Sequence, residues 1–175
     1  EKPDLASERR NVVHYLRDVF PEVLPLLDER LRRAWRATGF DEAALDDPFR
    51  LPRLRIGTWV GGDRDGHPFV TAGVTRETLG ELRRAALRLL DDQMAALVRH
   101  VSLSDHLQVP PAVLRARIDT LAGRLGPAAA AVLRRNPDES WRQLAGLMRV
   151  RLQHTMDADR TPEATPPGAD ATGAP

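Results

Sequence analysis

The feature that most constrains the fold is the run over residues 54–71, LRIGTWVGGDRDGHPFVT. Its first residues alternate between apolar and polar types, which predicts a short strand or extended segment ending at Trp59 and Val60. The glycine pair Gly61 and Gly62 follows, and these residues adopt backbone conformations closed to other residue types. Helical patterns flank the run on both sides. The chain must therefore present a permissive loop on a helical frame.

Three consecutive charges, Asp63, Arg64 and Asp65, lie inside this loop. A plain turn needs no aromatic residue, glycine pair and charged triplet together, so the loop is the candidate functional site. The triplet either contacts substrate or metal directly, or braces the loop through fork-like hydrogen bonds from the arginine to both carboxylates. Bracing is the preferred hypothesis, because functional sites require such support. A calcium loop is excluded, because the spacing puts Pro68 where glycine is needed and Val74 where glutamate is needed.

Helical periodicity dominates the remainder and predicts a mainly α fold, a helical bundle-like segment with one short strand and the glycine-rich loop. Ser7 and Thr75 are the candidate N-caps, and Pro21 is predicted to interrupt the first helix and to suit the first turn of the second. Gly39 and Gly126 are predicted to end helices. Residues 40–52 are predicted to form an irregular connector. The predicted helices cover residues 8–20, 22–38, 75–101, 111–125, 128–134 and 139–156.

Each longer helix carries an apolar stripe, and this stripe is predicted to face the core. Trp35 and Trp141 lie on such stripes and are predicted core residues, and Arg142 is predicted to fasten the Asn136 turn to a neighbouring helix. For Trp59 a core position is the alternative to a site role. The stripes are Val23, Leu24, Leu27, Leu31, Ala34 and Trp35; Leu79, Leu82, Ala86, Leu90, Leu97 and Val101; Val113, Leu114, Ile118, Leu121 and Leu125; and Trp141, Leu144, Ala145, Met148 and Leu152.

Composition bounds the remaining possibilities. The length of 175 residues fits one helical domain over residues 1–156, followed by a disordered acidic tail rich in proline and alanine over residues 157–175. There are no cysteines, which excludes disulfides and thiolate metal sites. The net charge is +1 and the arginines stand beside acids along helices, which argues against nucleic-acid binding. No apolar run predicts a membrane span or signal peptide, so we expect a soluble, cytoplasmic protein.

The segment TWVGGDRDGHPFVT, residues 58–71, closely resembles the segment SWMGGDRDGNPxVT of bacterial and plant phosphoenolpyruvate carboxylases. The flanks agree as well: RNVVHYL over residues 10–16, VTRETL over residues 74–79, and NPDESWR over residues 136–142, which resembles the family's NPxEPYR. The resemblance covers residues 8–156 but only a fraction of the family's length. It implies an internal segment of a larger α-helical and β-barrel enzyme.

The family's reaction joins phosphoenolpyruvate and bicarbonate into oxaloacetate and phosphate with the help of Mg²⁺ or Mn²⁺. The resemblance implies that Trp59 forms part of the apolar wall of the reaction chamber. His67 departs from the family, which usually has asparagine there. The other four histidines, His14, His100, His106 and His154, have no metal-ligand spacing and are predicted to be surface or locally bonded residues. The implied substrate-binding or wall residues are Trp59, Gly61, Gly62, Asp63, Arg64, Asp65 and His67.

No residue of this chain is assigned a catalytic or metal-ligating role. The family's catalytic histidine motif, its metal-binding carboxylates and its mobile arginine-rich loop are absent from these 175 residues. The resemblance thus implies that this chain alone is inactive and binds no metal, and that it works with the remainder of a carboxylase, which is a homo-oligomer when full-length. The chain is either a truncated piece of that carboxylase or a stand-alone relic. The alternative function is a non-catalytic helical interaction module derived from the family, and an arginine-rich nucleic-acid binder is a third hypothesis.

Overall fold

The computed structural model describes residues 4–47, 49, 51–63 and 69–160. These residues are mainly helical, as predicted. They belong to two compact units, residues 1–86 and residues 87–175. Each unit is described in turn.

The first unit opens with α1 (Leu5–His14), a π-helical turn (Tyr15–Val19) and α2 (Phe20–Ala37). The predicted cap at Ser7 is wrong: the Asp4 carboxylate accepts from the Ser7 backbone N–H at 2.7 Å. A carboxylate caps as well as a hydroxyl and also suits the positive end of the helix dipole. Pro21 lies in the first turn of α2, as predicted, where its missing N–H costs no hydrogen bond. It does not interrupt the helix before it, because helical backbone continues from α1 through the π-helical turn into α2.

The end of α2 follows the prediction, but its apolar stripe does not. Gly39 has a φ of 75°, the left-handed conformation that ends a helix. Trp35 is half-buried and donates from Nε1 to the Asp41 carbonyl at 2.8 Å. No residue of α2 is buried, and Leu27 remains 49% exposed. The periodicity identified an apolar face correctly, but within the described part of this unit little packs against it.

The connector after α2 is irregular apart from a short 3₁₀ turn, Glu42–Leu45. Of the short strand or extended segment predicted to end at Trp59 and Val60, the strand is not formed: residues 52–59 have no regular secondary structure, and the described residues contain no strand. Alternation of apolar and polar residues makes a strand only when a second strand supplies the ladder of hydrogen bonds. Here Leu54 and Ile56 are exposed instead.

Helix α3 (Ala72–His100) begins three residues before the predicted cap at Thr75. Thr71 caps it, since its Oγ1 accepts from the Val74 backbone N–H at 3.3 Å. Its end agrees with the prediction within one residue. Thr78 is its one buried residue, whereas the predicted apolar positions Leu79 and Leu90 are exposed.

The second unit contains α4 (Ala112–Leu125), α5 (Pro127–Arg135) and α6 (Ser140–Ala158). These helices agree closely with the predicted ranges, and Gly126, with a φ of 56°, separates the first two as expected. Partly buried side chains, including Leu125, Trp141 and Leu144, pack against the core of this unit. That core consists of Leu114, Ile118, Leu121, Ala129 and Leu147.

Two predicted core positions are wrong. Met148 is 48% exposed and Val113 is 70% exposed, whereas Leu147, outside the predicted stripe, is fully buried. The reason lies at Gly146, where an added Cβ would stand 2.7 Å from Val132 Cγ1. The Val132 side chain of α5 packs directly against the Gly146 backbone of α6, and Leu147 belongs with Ala145 and Gly146 to the buried part of that helix.

The turn before α6 is fixed by side chains. Arg142 Nε donates to the Val101 carbonyl at 2.8 Å, so this arginine fastens the turn to the end of α3 as predicted. Ser140 donates to the Asp105 carboxylate through its backbone N–H at 2.9 Å and its hydroxyl at 2.5 Å. Helix α6 ends at Ala158, and residues 161–175, which make up most of the predicted tail, lie outside the described residues.

Candidate functional site

The glycine turn begins at Trp59. Its carbonyl accepts from the backbone N–H of Gly62 at 2.9 Å and of Asp63 at 3.0 Å. Val60 N–H donates to Thr58 Oγ1 at 3.1 Å, which orders the entry to the turn. Gly61 has a φ of 75°, a conformation in which a Cβ is strained. The sequence therefore forms a tight turn here because glycine occupies the one position that requires it.

Helix α3 packs against the glycine turn at Gly61. Gly61 and Thr78 are both buried, and a Cβ added at Gly61 would lie only 2.3 Å from Thr78 Oγ1. Close packing thus forbids a side chain at Gly61 for a second reason, independent of its φ. Sequence reasoning missed Thr78, and the only signal for it was a small β-branched residue at the start of the helix that follows the loop.

The Trp59 side chain is not in the core: it is 79% exposed, so the interpretation as a core tryptophan is wrong. It lies at an apolar cavity of about 570 Å³. The opposite lining comes from α1, the π-helical turn and the start of α2. The lining residues are Val12, Tyr15, Leu16, Phe20, Ile56, Gly57, Thr58, Trp59 and Val60.

The π-helical turn explains why two aromatic side chains share this lining. In an α-helix, residues five apart point about 140° away from each other. The wider turn instead brings the rings of Tyr15 and Phe20 to a centroid distance of 6.3 Å, and Phe20 N–H donates to the Tyr15 carbonyl. Sequence reasoning missed both residues, because α-helical periodicity cannot place them on one face. Such π turns occur frequently at functional sites.

Charged groups flank the aromatic pair. Asp18 accepts from Arg17 Nε at 2.6 Å and lies 2.8 Å from His14 Nδ1. The Arg17 guanidinium, and after it His14, hold the pKa of the Asp18 carboxyl well below its usual range. Asp18 therefore remains an anion at any physiological pH. His14 is locally bonded, as predicted.

An arginine links α1 to α3. Arg9 Nη2 donates to Glu77 Oε1 at 3.0 Å, and Arg9 Nε lies 2.7 Å from Glu81 Oε2 as an ion pair that is not aligned for a hydrogen bond. The hydrogen bond with Glu77 raises the pKa of Arg9 and lowers that of Glu77. Glu77 is next to Thr78 on α3. The Arg9 link therefore joins α3, which supports the glycine turn, to α1, which leads into the residues that line the cavity.

Of the predicted site residues, Trp59, Gly61, Gly62 and Asp63 form the turn, whereas Arg64, Asp65 and His67 lie outside the described residues. The bracing of the loop by Arg64 therefore stays a prediction. Across residues 4–47, 49, 51–63 and 69–160, no group of three or more His, Asp or Glu side chains is placed to hold a metal ion. Among the same residues, no helix has the length and apolar character needed to cross a bilayer.

The described residues therefore present an exposed indole and a glycine turn beside an apolar cavity, on a helical frame. Comparison with known proteins shows which family has such a segment. The family model described as phosphoenolpyruvate carboxylase matches residues 1–170. The chain therefore belongs to the phosphoenolpyruvate carboxylase family.

The curated relatives of the chain are named phosphoenolpyruvate carboxylase. The phosphoenolpyruvate carboxylase of Xanthomonas euvesicatoria pv. vesicatoria is 38% identical over 157 residues, which are 89% of this chain and 17% of the relative. That of Nocardia farcinica is 37% identical over 152 residues, 86% of this chain and 15% of the relative. That of Methylorubrum extorquens is 34% identical over 140 residues, 79% of this chain and 14% of the relative. The chain thus spans less than a fifth of these relatives, and no solved structure matches it.

Proposed function

We propose that this chain is the segment of a phosphoenolpyruvate carboxylase that supplies one wall and the glycine loop of the reaction chamber. The whole enzyme would convert phosphoenolpyruvate and bicarbonate to oxaloacetate and phosphate, with the remainder of the carboxylase supplying the reacting groups. Family membership and the 17% share of the Xanthomonas relative support this proposal. The observation that carries it is the exposed Trp59 indole at an apolar cavity.

The chemistry explains what such a wall does. The phosphoryl group moves from the enol oxygen of phosphoenolpyruvate to a bicarbonate oxygen, which gives an enolate and carboxyphosphate. The carboxyphosphate breaks into phosphate and carbon dioxide, and the enolate carbon attacks this carbon dioxide. Water competes at this stage, because a proton delivered to the enolate carbon gives pyruvate. An apolar wall keeps water away and retains carbon dioxide, which favours carbon–carbon bond formation. Trp59 and the aromatic residues Tyr15 and Phe20 offer such a surface.

Mg²⁺ or Mn²⁺ belongs to the proposal only through the family. Among the described residues, no group of three or more His, Asp or Glu side chains is placed to hold either ion. The metal ligands, the catalytic histidine, the α-helical and β-barrel fold of the whole enzyme, its homo-oligomeric state and its cytoplasmic location all belong to the proposed full-length protein.

The test is a chimera. The matching segment of the Xanthomonas carboxylase is replaced by this chain, and oxaloacetate formation is followed with malate dehydrogenase and NADH. We expect activity from the chimera, none from this chain alone, and none from the relative with the segment deleted. Size-exclusion chromatography establishes that the chimera assembles as the parent does.

Two results would refute the proposal. Oxaloacetate formation by this chain alone would show that its own residues carry the reaction. A chimera that assembles like the parent but does not carboxylate would favour the alternative, a non-catalytic interaction module. The apolar surface of α2 is compatible with either function and does not separate them.

A further inference from the structure

Thr78 is a polar residue with an unusual place in α3, because it is only 3% exposed. Its hydroxyl donates to the Val74 carbonyl one helical turn earlier, at 2.8 Å. The hydroxyl proton of Thr78 is thus used within the helix. What Thr78 offers its surroundings is the shape of a short, branched side chain.

Gly61 packs against the Thr78 side chain. A Cβ added at Gly61 would lie 2.3 Å from Thr78 Oγ1, 2.8 Å from its Cβ and 2.9 Å from its Cγ2. All three side-chain atoms of Thr78 therefore face the Gly61 backbone. A shorter side chain at position 78 would open a gap under the turn, and a longer one would push the turn away.

The turn transmits this contact to Trp59. The hydrogen bonds from Gly62 and Asp63 to the Trp59 carbonyl close residues 59–63 into one unit, so a displacement at Gly61 also moves Trp59. The indole is 79% exposed and gains little restraint from its own packing. Its position over the cavity depends on the backbone that carries it.

The structure assigns Thr78 as a positioning residue: its side chain supports Gly61 and so sets where the Trp59 indole stands at the cavity. The catalytic meaning of this assignment rests on the proposed function, whereas its structural content does not. The Arg9 link to Glu77 and Glu81 holds the same turn of α3 to α1, so both sides of the cavity share this support.

The test uses the full 175-residue chain and its three tryptophans. Each indole Nε1–H gives one cross-peak in a ¹H–¹⁵N spectrum, so Trp35 and Trp141 serve as internal controls for the fold. We expect Thr78→Ala to shift the Trp59 cross-peak by more than its line width while the other two stay in place. Thr78→Val keeps the branched shape and should leave all three unchanged.

Thr75→Ala is the matched control and should leave the Trp59 cross-peak in place. Thr75 lies one turn earlier on α3, and its hydroxyl makes the same kind of bond, to the Thr71 carbonyl at 3.2 Å. An unchanged Trp59 cross-peak in Thr78→Ala would show that the inference is wrong. Movement of all three cross-peaks in both Thr78→Ala and the milder Thr78→Ser would also overturn it, since Thr78 would then support the whole fold.

The same variants separate this inference from the proposed function. In an active chimera, Thr78→Ala should lower kcat by about 10- to 100-fold, because small misplacements at a reaction site have effects of that size, with KM for phosphoenolpyruvate within about twofold. Thr78→Val should restore kcat. The spectroscopic test needs no catalysis, so it can fail while the chimera works, and an inactive chimera leaves its result intact.

Discussion

Arg149 of α6 and Asp91 of α3 form a two-point ion pair, with Nε donating to Oδ1 at 2.9 Å and Nη2 donating to Oδ2 at 3.1 Å. The Asp91 side chain is 18% exposed and that of Arg149 is 35% exposed. Arg17 and Asp18 also form a two-point pair, but the Arg149 and Asp91 side chains are more buried, which reduces solvent screening of their contact. It joins α6 to the part of α3 that belongs to the second unit.

We therefore expect Asp91→Asn to lower the free energy of unfolding of the second unit by about 1–2 kcal/mol at pH 7. The hydrogen bond from Arg149 lowers the pKa of Asp91 below its ordinary value of 3.8. A depressed carboxyl pKa contributes stability above the unfolded pKa and loses it as the pH falls through the folded pKa. The difference between parent and variant should thus shrink as the pH falls below about 4. Urea titrations followed through the Trp141 indole cross-peak measure it.

Asp92→Asn is the control for that experiment, because it removes an exposed carboxylate beside Asp91. Its effect should stay within about 0.5 kcal/mol. Equal losses in the two variants would show that the ion pair adds nothing specific.

Leu147→Ala should destabilise the second unit by about 2–5 kcal/mol, the usual result of emptying a fully buried leucine position. Met148→Ala, at the neighbouring and 48% exposed position, should cost far less. Thermal unfolding of the two variants compares them directly. A larger loss at Met148 would mean that the sequence periodicity, rather than the observed rotation of α6, describes the core.

Alanine substitutions at three glycines distinguish the destabilisation caused by a positive φ from the destabilisation caused by steric overlap with a neighbour. Gly39 has a positive φ but open space around it, so Gly39→Ala should cost about 1 kcal/mol from conformational strain alone. Gly61 has a positive φ and also meets Thr78, so Gly61→Ala should cost clearly more. Gly57 has neither constraint, and Gly57→Ala should be close to neutral or stabilising. Urea titration of the three variants should give this order, and equal effects at Gly39 and Gly61 would argue against the contact.

Trp59→Ala in the chimera should lower oxaloacetate formation and raise the share of pyruvate. The missing indole admits water to the enolate, which then takes a proton instead of carbon dioxide. Trp59→Phe keeps an apolar wall and should restore part of the oxaloacetate yield. Assays with malate dehydrogenase and with lactate dehydrogenase measure the two products.

Leu107→Ala provides the reference for that assay, because Leu107 is an exposed apolar residue of the second unit, 84% exposed. It should leave the product ratio unchanged. A ratio that also stays constant in Trp59→Ala would remove the indole from the proposed wall.

Sequence patterns located most helices to within a few residues, since apolar periodicity, Gly39 and Gly126 are local signals read along one segment. They also identified the family, because an ordered run of residues such as GGDRDG carries far more information than any of its parts. They placed Leu114, Ile118 and Leu121 in the core correctly but misjudged other apolar positions. Val113 and Met148 lie on correct helices but face solvent, because the partner helices approach from another direction.

The sequence by itself determined a mainly helical chain, an abrupt glycine-rich turn after Trp59, and membership in a family of much longer proteins, because helix periodicity, turn chemistry and motif order are all properties of neighbouring residues. Only the tertiary structure decided that Thr78 lies under Gly61, that the π-helical turn brings Tyr15 and Phe20 together, and that the Trp59 indole stands exposed at an apolar cavity. These relationships join residues far apart along the chain or depend on a departure from regular helix geometry. Packing between segments sets them, and no local pattern encodes it.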